Sequence, residues 1–257
     1  MRGLLAAAIL LCGSAAAQPI QLYGKIGSAP VFLDLSRNGD TVSGWYFYLK
    51  VAKQIRLEGR LDHNGFFQLE EYTASSNTRT GSLKGRAKDG HWSGTWRDAK
   101  GGSTHDISFD VLRSTLRDVD GRFKCSTKRS DPQFGYTYTH SLNLTLADGR
   151  VKELSMARKE HSEGGDEQGC RIAMGDLKQQ PSLVGVLLRA KADRAKSERH
   201  CTVRIYRGGD YLVIRTGNPG QAGDDCRGAG GEMFCSPRSF WADLVINRNT
   251  QMCKSVE

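Results

Sequence analysis

Cysteine is the residue type whose number and placement carry the clearest chemistry in this chain. Cys12 lies near the start, and the other six cysteines all lie in the second half: Cys125, Cys170, Cys201, Cys226, Cys235 and Cys253. No Cys-x-x-Cys pair occurs and the histidines are not spaced as zinc ligands, so no metal site is predicted. An even number of cysteines in an exported chain favours a set of disulfides, whose connectivity the sequence leaves open. The cysteine-free first half must then be held by its hydrophobic core.

The spacing of acidic residues, histidines and serines gives little indication of a catalytic site. Glu70 and Glu71 form the only acidic pair on a predicted strand. Neighbouring strand residues face opposite sides, so these two carboxylates cannot act together as acid and base. The six histidines are scattered and no Gly-x-Ser-x-Gly motif occurs. We predict no catalytic residue and no cofactor. A hydrolase whose site is assembled from separated residues is the alternative that sequence order leaves open.

The segment from Met233 to Trp241 (MFCSPRSFW) has the composition of a binding loop. A disulfide at Cys235 would pin one end and Pro237 would restrict the backbone. Arginine and tryptophan on a rigid loop are typical of protein-binding hot spots. The predicted partner-binding residues are therefore Ser236, Arg238, Phe240 and Trp241. The alternative is that Phe240 and Trp241 are core residues at the start of the last strand.

The first seventeen residues have the pattern of a secretory signal peptide. Met1-Arg2 is followed by an apolar run from Gly3 to Cys12, and Ala15 to Ala17 offer the small residues that a signal peptidase reads. Cleavage is expected to leave Gln18 as the new N-terminus and to place the protein in the periplasm. Acylation at Cys12 is the alternative. No later segment approaches the roughly 20 apolar residues of a membrane helix, so no membrane span is predicted.

The charge balance favours an acidic partner. The formal net charge is +9, and it becomes +8 when Arg2 leaves with the signal peptide. Such a charge favours acidic proteins, anionic envelope polymers or nucleic acid, although it could also serve solubility alone. The basic residues are scattered and no block of five or six marks a nucleic-acid arm. We therefore expect a protein partner, with an acidic surface, and no nucleic acid.

Period-two alternation runs through the first half of the chain. Short segments alternate apolar and polar residues and are separated by turn signals at Asn38-Gly39, where type I′ is expected, Asn64-Gly65 and Asp89-Gly90. Six to eight strands joined by tight turns predict an antiparallel meander that closes as a small barrel. Glycines inside strands mark its bends.

The second half is predicted to be a disulfide-stabilised β-rich domain. Strands are expected at 141–146, 151–156, 201–206, 211–215 and 242–246, with glycine-rich loops at 161–169 and 217–231. Residues 183–197 fit either a short helix or a strand followed by a charged loop. The predicted organisation is a signal peptide at 1–17, a barrel-like domain at 18–114, a linker at 115–121 and the second domain at 122–257.

Three stretches of the first half carry a family resemblance: VFLDL…NGDTVSGWYFYLK, IRLEGRLD…GFFQLEEY and TGSLKGRAKDGHWSGTW. They resemble a small β-barrel module of exported Gram-negative proteins, over residues 20 to 112. The second half, with a cysteine-pinned loop before a closing strand, is loosely similar to periplasmic lysozyme inhibitors. The first resemblance implies a small barrel of a kind that mostly has no known activity, and the second implies a small, disulfide-held barrel.

These observations together predict a periplasmic, non-enzymatic binding protein. Its expected role is to inhibit, or give immunity against, an envelope-targeting enzyme such as a toxin or a lysozyme-like protein. A rigid binding surface suits this role because it loses little entropy on association. Besides the hydrolase, a cationic polymer-binding envelope protein remains an alternative.

Overall fold

The computed structural model describes residues 17–74, 76–113, 116–131, 135–162, 165, 167–182, 184–190, 202–216 and 243–256. These residues form an all-β fold, as the sequence predicts. The first eight strands are β1 (Gln18–Ile26), β2 (Ala29–Asn38), β3 (Thr41–Tyr48), β4 (Gln54–Leu61), β5 (Phe66–Thr73), β6 (Arg79–Lys88), β7 (His91–Asp98) and β8 (Thr104–Val111).

The first eight strands form a closed antiparallel barrel. Each strand pairs with the next along the chain, and β8 pairs with β1 to close the circle. The expected meander is thus confirmed. The turn after β2 differs from the type I′ expectation because Asn38 still pairs with Thr41, which leaves Gly39 and Asp40 as the central residues. Only Gly39 has a positive φ there, which fits type II′.

Alternation along the strands fills the barrel interior. Residues such as Leu22, Leu33, Leu57 and Leu69 point inward and are almost fully buried. Glycines allow the strands to approach closely at the bends: a Cβ on Gly85 or Gly94 would overlap a backbone carbonyl of the paired strand. The barrel is therefore a packed core and its outer wall carries the surface chemistry.

The described residues of the second half form ten strands in two sheets. These strands are β9 (Gly121–Asp131), β10 (Tyr136–Ala147), β11 (Arg150–Ser162), β12 (Glu167–Ala173), β13 (Leu177–Gln180), β14 (Val186–Ala190), β15 (Thr202–Gly208), β16 (Tyr211–Thr216), β17 (Leu244–Asn247) and β18 (Cys253–Ser255). The first four pair in the order β12-β11-β10-β9, and the last six pair in sequence order. Apolar side chains of both sheets share one core.

One disulfide joins the two sheets within the described residues. Cys125 on β9 is bonded to Cys253 on β18, which closes a span of 128 residues. The prediction of disulfides in this half is confirmed for this pair. Cys170 lies on β12, but its side chain falls outside what the structure describes, as do Cys201, Cys226 and Cys235.

The central strands of the six-stranded sheet are buried on both faces. One face packs on the four-stranded sheet, while the other covers the outer wall of the barrel, where Phe32 and Phe47 meet Tyr206 and Val213. Continuous burial along β15 and β16 follows from this central position. We call the contact between barrel and six-stranded sheet the junction.

One local expectation for the second half was wrong, and one that the sequence leaves open is decided. The loop predicted at 161–169 is mostly strand, because β11 continues to Ser162 and β12 begins at Glu167. Of the two possibilities at 183–197, the strand is found, as β14; residues 191–197 lie outside the described part. Leu116 and Val119, on the predicted linker, are fully buried in the second core.

Candidate functional site

The outer wall of the barrel carries an open groove across β4 to β7. Its volume is about 800 Å³, and its lining includes Arg60, Phe66, Gln68, Lys84, Arg86 and Ser93. We call this feature the cationic groove. It lies on the polar, outward-facing side of the strands, opposite the packed interior.

Strand register explains why these side chains meet. Arg60 pairs with Gln68, and Gln68 pairs with Lys84, which forms one row across three strands. Phe66 pairs with Arg86, and Arg86 pairs with Ser93 in a second, parallel row. Because strand side chains alternate between faces, all of these positions share the outward side.

The acidic groups around the groove are already engaged. Glu58 lies 3.4 Å from Arg56, and Glu70 pairs with Arg79. The Asp62 carboxylate accepts hydrogen bonds from the backbone N–H groups of Asn64 and Phe66. Within the described residues, neither Lys84 nor Arg86 makes an ion pair. The groove lining holds three cations, Arg60, Lys84 and Arg86, against one carboxylate, Asp62, and therefore presents a net positive charge to solvent.

Phe66 adds an apolar contact to this charge. Its side chain is 55% exposed, although it begins a barrel strand. The guanidinium of Arg86 lies over the ring, 5.1 Å from its centre. An exposed aromatic side chain beside an arginine has the composition of a protein-binding hot spot.

A second polar group lies inside one end of the barrel. Glu71 is 5% exposed, and its Oε2 accepts hydrogen bonds from Tyr46 Oη (2.7 Å) and Trp96 Nε1 (2.6 Å). Its Oε1 accepts one from Thr80 Oγ1 at 2.7 Å. A β-bulge between Glu71 and Tyr72 places Thr80 within reach. We call these four residues the Glu71 cluster.

Neutral donors alone surround the Glu71 carboxylate. No ion pair of Glu71 occurs within the described part of the chain. Burial, and then the nearby Glu71 charge, raise the pKa of Tyr46 well above its ordinary value. Tyr46 consequently remains a protonated donor at physiological pH. This arrangement satisfies a buried charge by hydrogen bonds, without a counter-ion.

A third polar group is buried at the junction. Asp34, on the outer wall of the barrel, has no exposed surface, and its Oδ2 accepts hydrogen bonds from Arg204 Nη1 (3.0 Å) and Arg215 Nη1 (2.8 Å). Arg215 Nε also donates to Asp243 at 2.8 Å, and Gln21 donates to Asp34 Oδ1 at 2.9 Å. We call these five residues the junction network.

Burial and neighbouring charges both shift pKa values at the junction. Burial lowers the pKa of Arg215, but the carboxylates of Asp243 and Asp34 outweigh burial and raise that pKa above its ordinary value. Burial raises the pKa of Tyr206 to about 12, although nearby Arg204 opposes the shift. Arg215 is therefore charged and Tyr206 is neutral over the physiological range.

The structure does not describe the residues that the sequence predicts to bind a partner. Ser236, Arg238, Phe240 and Trp241 all lie outside the described residues. Their proposed role stays a prediction. Glu70 and Glu71 do face opposite sides of β5, one toward Arg79 outside the barrel and one toward Tyr46 inside it.

The cationic groove was missed at the sequence level, although a signal for it exists. Phe67 and Leu69 point into the barrel, so the same alternation places Phe66 and Gln68 outside. Cations at alternate positions of β6 then share that face. The groove itself depends on pairing among four strands, which composition does not reveal.

Comparison with family models, with curated proteins and with solved structures finds no match for this chain. Within the described ranges, no group of three or more His, Cys, Asp or Glu side chains is arranged to hold a metal ion. Among the same residues, no helix is long and apolar enough to cross a membrane.

Proposed function

We propose that this protein is an exported, non-enzymatic binding protein whose cationic groove docks an acidic protein. The expected role is inhibition of, or immunity against, an envelope-targeting enzyme in the periplasm, as the signal pattern and the resemblance to periplasmic lysozyme inhibitors suggest. The observation that carries the proposal is the groove on β4 to β7, where Lys84 and Arg86 lie beside the exposed ring of Phe66.

Charge complementarity selects the partner class. An acidic protein would be steered toward the groove by its positive field and would meet cations that the barrel's own acids leave free. The exposed Phe66 ring would then contribute apolar burial at the centre of the contact. Because the groove sits on a closed barrel, its backbone is fixed before binding, which limits the entropy lost on association.

The test compares charge reversal inside and outside the groove. Lys84→Glu/Arg86→Glu reverses two groove cations, while Arg122→Glu/Lys124→Glu makes the same change on the exposed face of β9. Each tagged protein is mixed with a panel of purified acidic cell-wall-degrading enzymes, and affinity and enzyme inhibition are measured. We expect a one-to-one complex that the groove variant weakens by roughly 30-fold or more. The control should change affinity by less than threefold.

Three outcomes would contradict the proposal. Equal loss in both variants would indicate general charge attraction, and binding only to anionic polysaccharide would favour the polymer-binding alternative. Turnover of a cell-wall, lipid or peptide substrate would favour the hydrolase. A Phe66→Ala variant distinguishes specific docking from general charge attraction. Specific docking should weaken when the ring is removed, whereas general charge attraction should not change.

A further inference from the structure

Arg204 in the junction network has one edge of its guanidinium without a partner. Its side chain is 3% exposed. Nη1 donates to Asp34 and to Tyr206 Oη, but Nε and Nη2 have no hydrogen-bond partner among the described residues. Nη2 of Arg215 is likewise buried without one. Buried N–H groups almost always have acceptors, so these three nitrogens call for an explanation.

Each carboxylate oxygen of the network already accepts at least one hydrogen bond. Both Nη1 groups share Asp34 Oδ2, and Gln21 takes Oδ1. On Asp243, Oδ2 accepts from Arg215 Nε and Oδ1 accepts from the backbone N–H of Thr216. The three remaining donors, in contrast, reach neither carboxylate within hydrogen-bond distance.

Strand pairing concentrates the donors in one place. Arg204 on β15 is the direct register partner of Arg215 on β16. Like charges directly opposite on a sheet repel, and this pair is stabilised only by the carboxylates that reach between and beside them. The unpartnered edge of Arg204 thus lies next to a second guanidinium.

We propose that Nε and Nη2 of Arg204 bind a small monocarboxylate at the junction. These two nitrogens form the side-on fork of arginine, whose parallel N–H groups match the two oxygens of a carboxylate. The charges of Arg204, Arg215, Asp34 and Asp243 already cancel, so unmet hydrogen bonding is the main driving force. A singly charged ion consequently suits the site better than phosphate or sulfate, whose further charge would be buried.

The first test measures ligand-dependent stability. The midpoint of thermal unfolding is followed in acetate, acetamide, sulfate and fluoride at matched ionic strength. Acetate should raise the wild-type midpoint by roughly 3–6 °C for each tenfold increase above its dissociation constant. Acetamide has nearly the same shape without the charge, and it should have little effect. An equal response to acetate and sulfate would overturn the proposal.

Two variants locate the effect. Arg204→Lys keeps the charge beside Asp34 but removes the fork, so the acetate response should disappear. Arg207→Lys makes the same change at a partly exposed arginine on β15 that pairs with Asp118, and it should respond like the wild type. An unchanged response in Arg204→Lys would overturn the assignment.

A direct binding measurement keeps the proposal testable if Arg204→Lys does not fold. Trifluoroacetate is titrated into the wild-type protein and followed by ¹⁹F NMR, with acetate and acetamide as competitors. Saturable broadening that acetate reverses is the expected result. A crystal structure in acetate then decides the occupant: a carboxylate on the fork supports the proposal, whereas water or a side chain of this chain on the fork overturns it.

Discussion

Asp34 and Glu71 are both buried carboxylates, and their surroundings differ in kind. Asp34 at the junction faces two guanidinium groups, whereas every described hydrogen bond to Glu71 inside the barrel comes from a neutral side chain. Asp34 belongs to the barrel but its charged partners come from the second half, more than 160 residues later. Glu71 is satisfied wholly within the barrel.

The two buried carboxylates therefore have different structural roles. The junction network forms only when barrel and six-stranded sheet meet, so it favours one relative placement of the two halves. The Glu71 cluster instead orders side chains that a single closed sheet already holds together. Removing one partner of a buried ion pair is costly because the other charge stays buried without its counter-ion. Neutralising a carboxylate that has only neutral hydrogen-bond donors costs less, because no opposite charge is left unpaired.

Neutralising Asp34 should have the largest effect. Asp34→Asn preserves the shape and can retain hydrogen bonds, but it leaves Arg204 and Arg215 buried with one carboxylate between them. We expect the free energy of unfolding to fall by about 3–5 kcal/mol. Urea denaturation measures the change, and Asp106→Asn on the exposed face of β8 serves as the control. A loss of less than about 1 kcal/mol would show that the junction charges are not coupled to stability.

Asp34 also shows where sequence reasoning stops. Alternation correctly predicts the meander and places Asp34 on the outer wall, where an aspartate is ordinarily solvated. Its burial depends on Arg204 and Arg215, which reach it through the packing of another sheet. No local pattern near Asp34 signals that contact. Glu71 is easier, because the inward parity of Phe67 and Leu69 extends to it directly.

The disulfide also combines a feature that the sequence predicts with one that depends on tertiary packing. The even number of cysteines in the second half predicts cross-linking, but the pairing of Cys125 with Cys253 requires β9 and β18 to lie side by side. That proximity arises from the meeting of two sheets and not from spacing along the chain. Connectivity is therefore a tertiary property, as is the cationic groove.

Removing the disulfide should weaken the junction more than the barrel interior. Val256, next to β18, packs in the junction, and its N–H donates to the carbonyl of Asp243 at 2.7 Å. Cys125→Ala/Cys253→Ser should cost about 2–4 kcal/mol of unfolding free energy. Hydrogen exchange should accelerate at Val256 and Arg215 before it does at Glu71. Equal acceleration at all three amides would mean that the halves open together.

Alkaline pH offers a finer comparison of the two sites. The pKa of Tyr206 rises to about 12, and that of Tyr46 also lies well above its ordinary value. The unfolded chain loses these protons first, so the stabilising contribution of both tyrosines is complete below pH 10 and falls above it. The contribution of Tyr206 is lost as the pH rises to about 12.

Urea midpoints between pH 9 and pH 11.5 measure this loss. Each tyrosine should contribute up to about 1.4 kcal/mol per pH unit above pH 10. Tyr206→Phe and Tyr46→Phe should each reduce the slope, one at the junction and one in the barrel. If neither substitution changes the slope, other groups govern alkaline unfolding.

Neutralising Glu71 should have the smallest effect, because its hydrogen bonds can survive the loss of charge. In Glu71→Gln, the amide oxygen can still accept from Tyr46 and Trp96, while the amide nitrogen can donate to Thr80, whose hydroxyl rotates to accept. We expect the free energy of unfolding to stay within about 1 kcal/mol of wild type, since no cation is left unpaired. Glu71→Ala, in contrast, should cost about 3 kcal/mol because three donors lose their acceptor. A loss in Glu71→Gln as large as that in Asp34→Asn would mean that the charge itself stabilises the barrel, and the distinction between the two sites would fail.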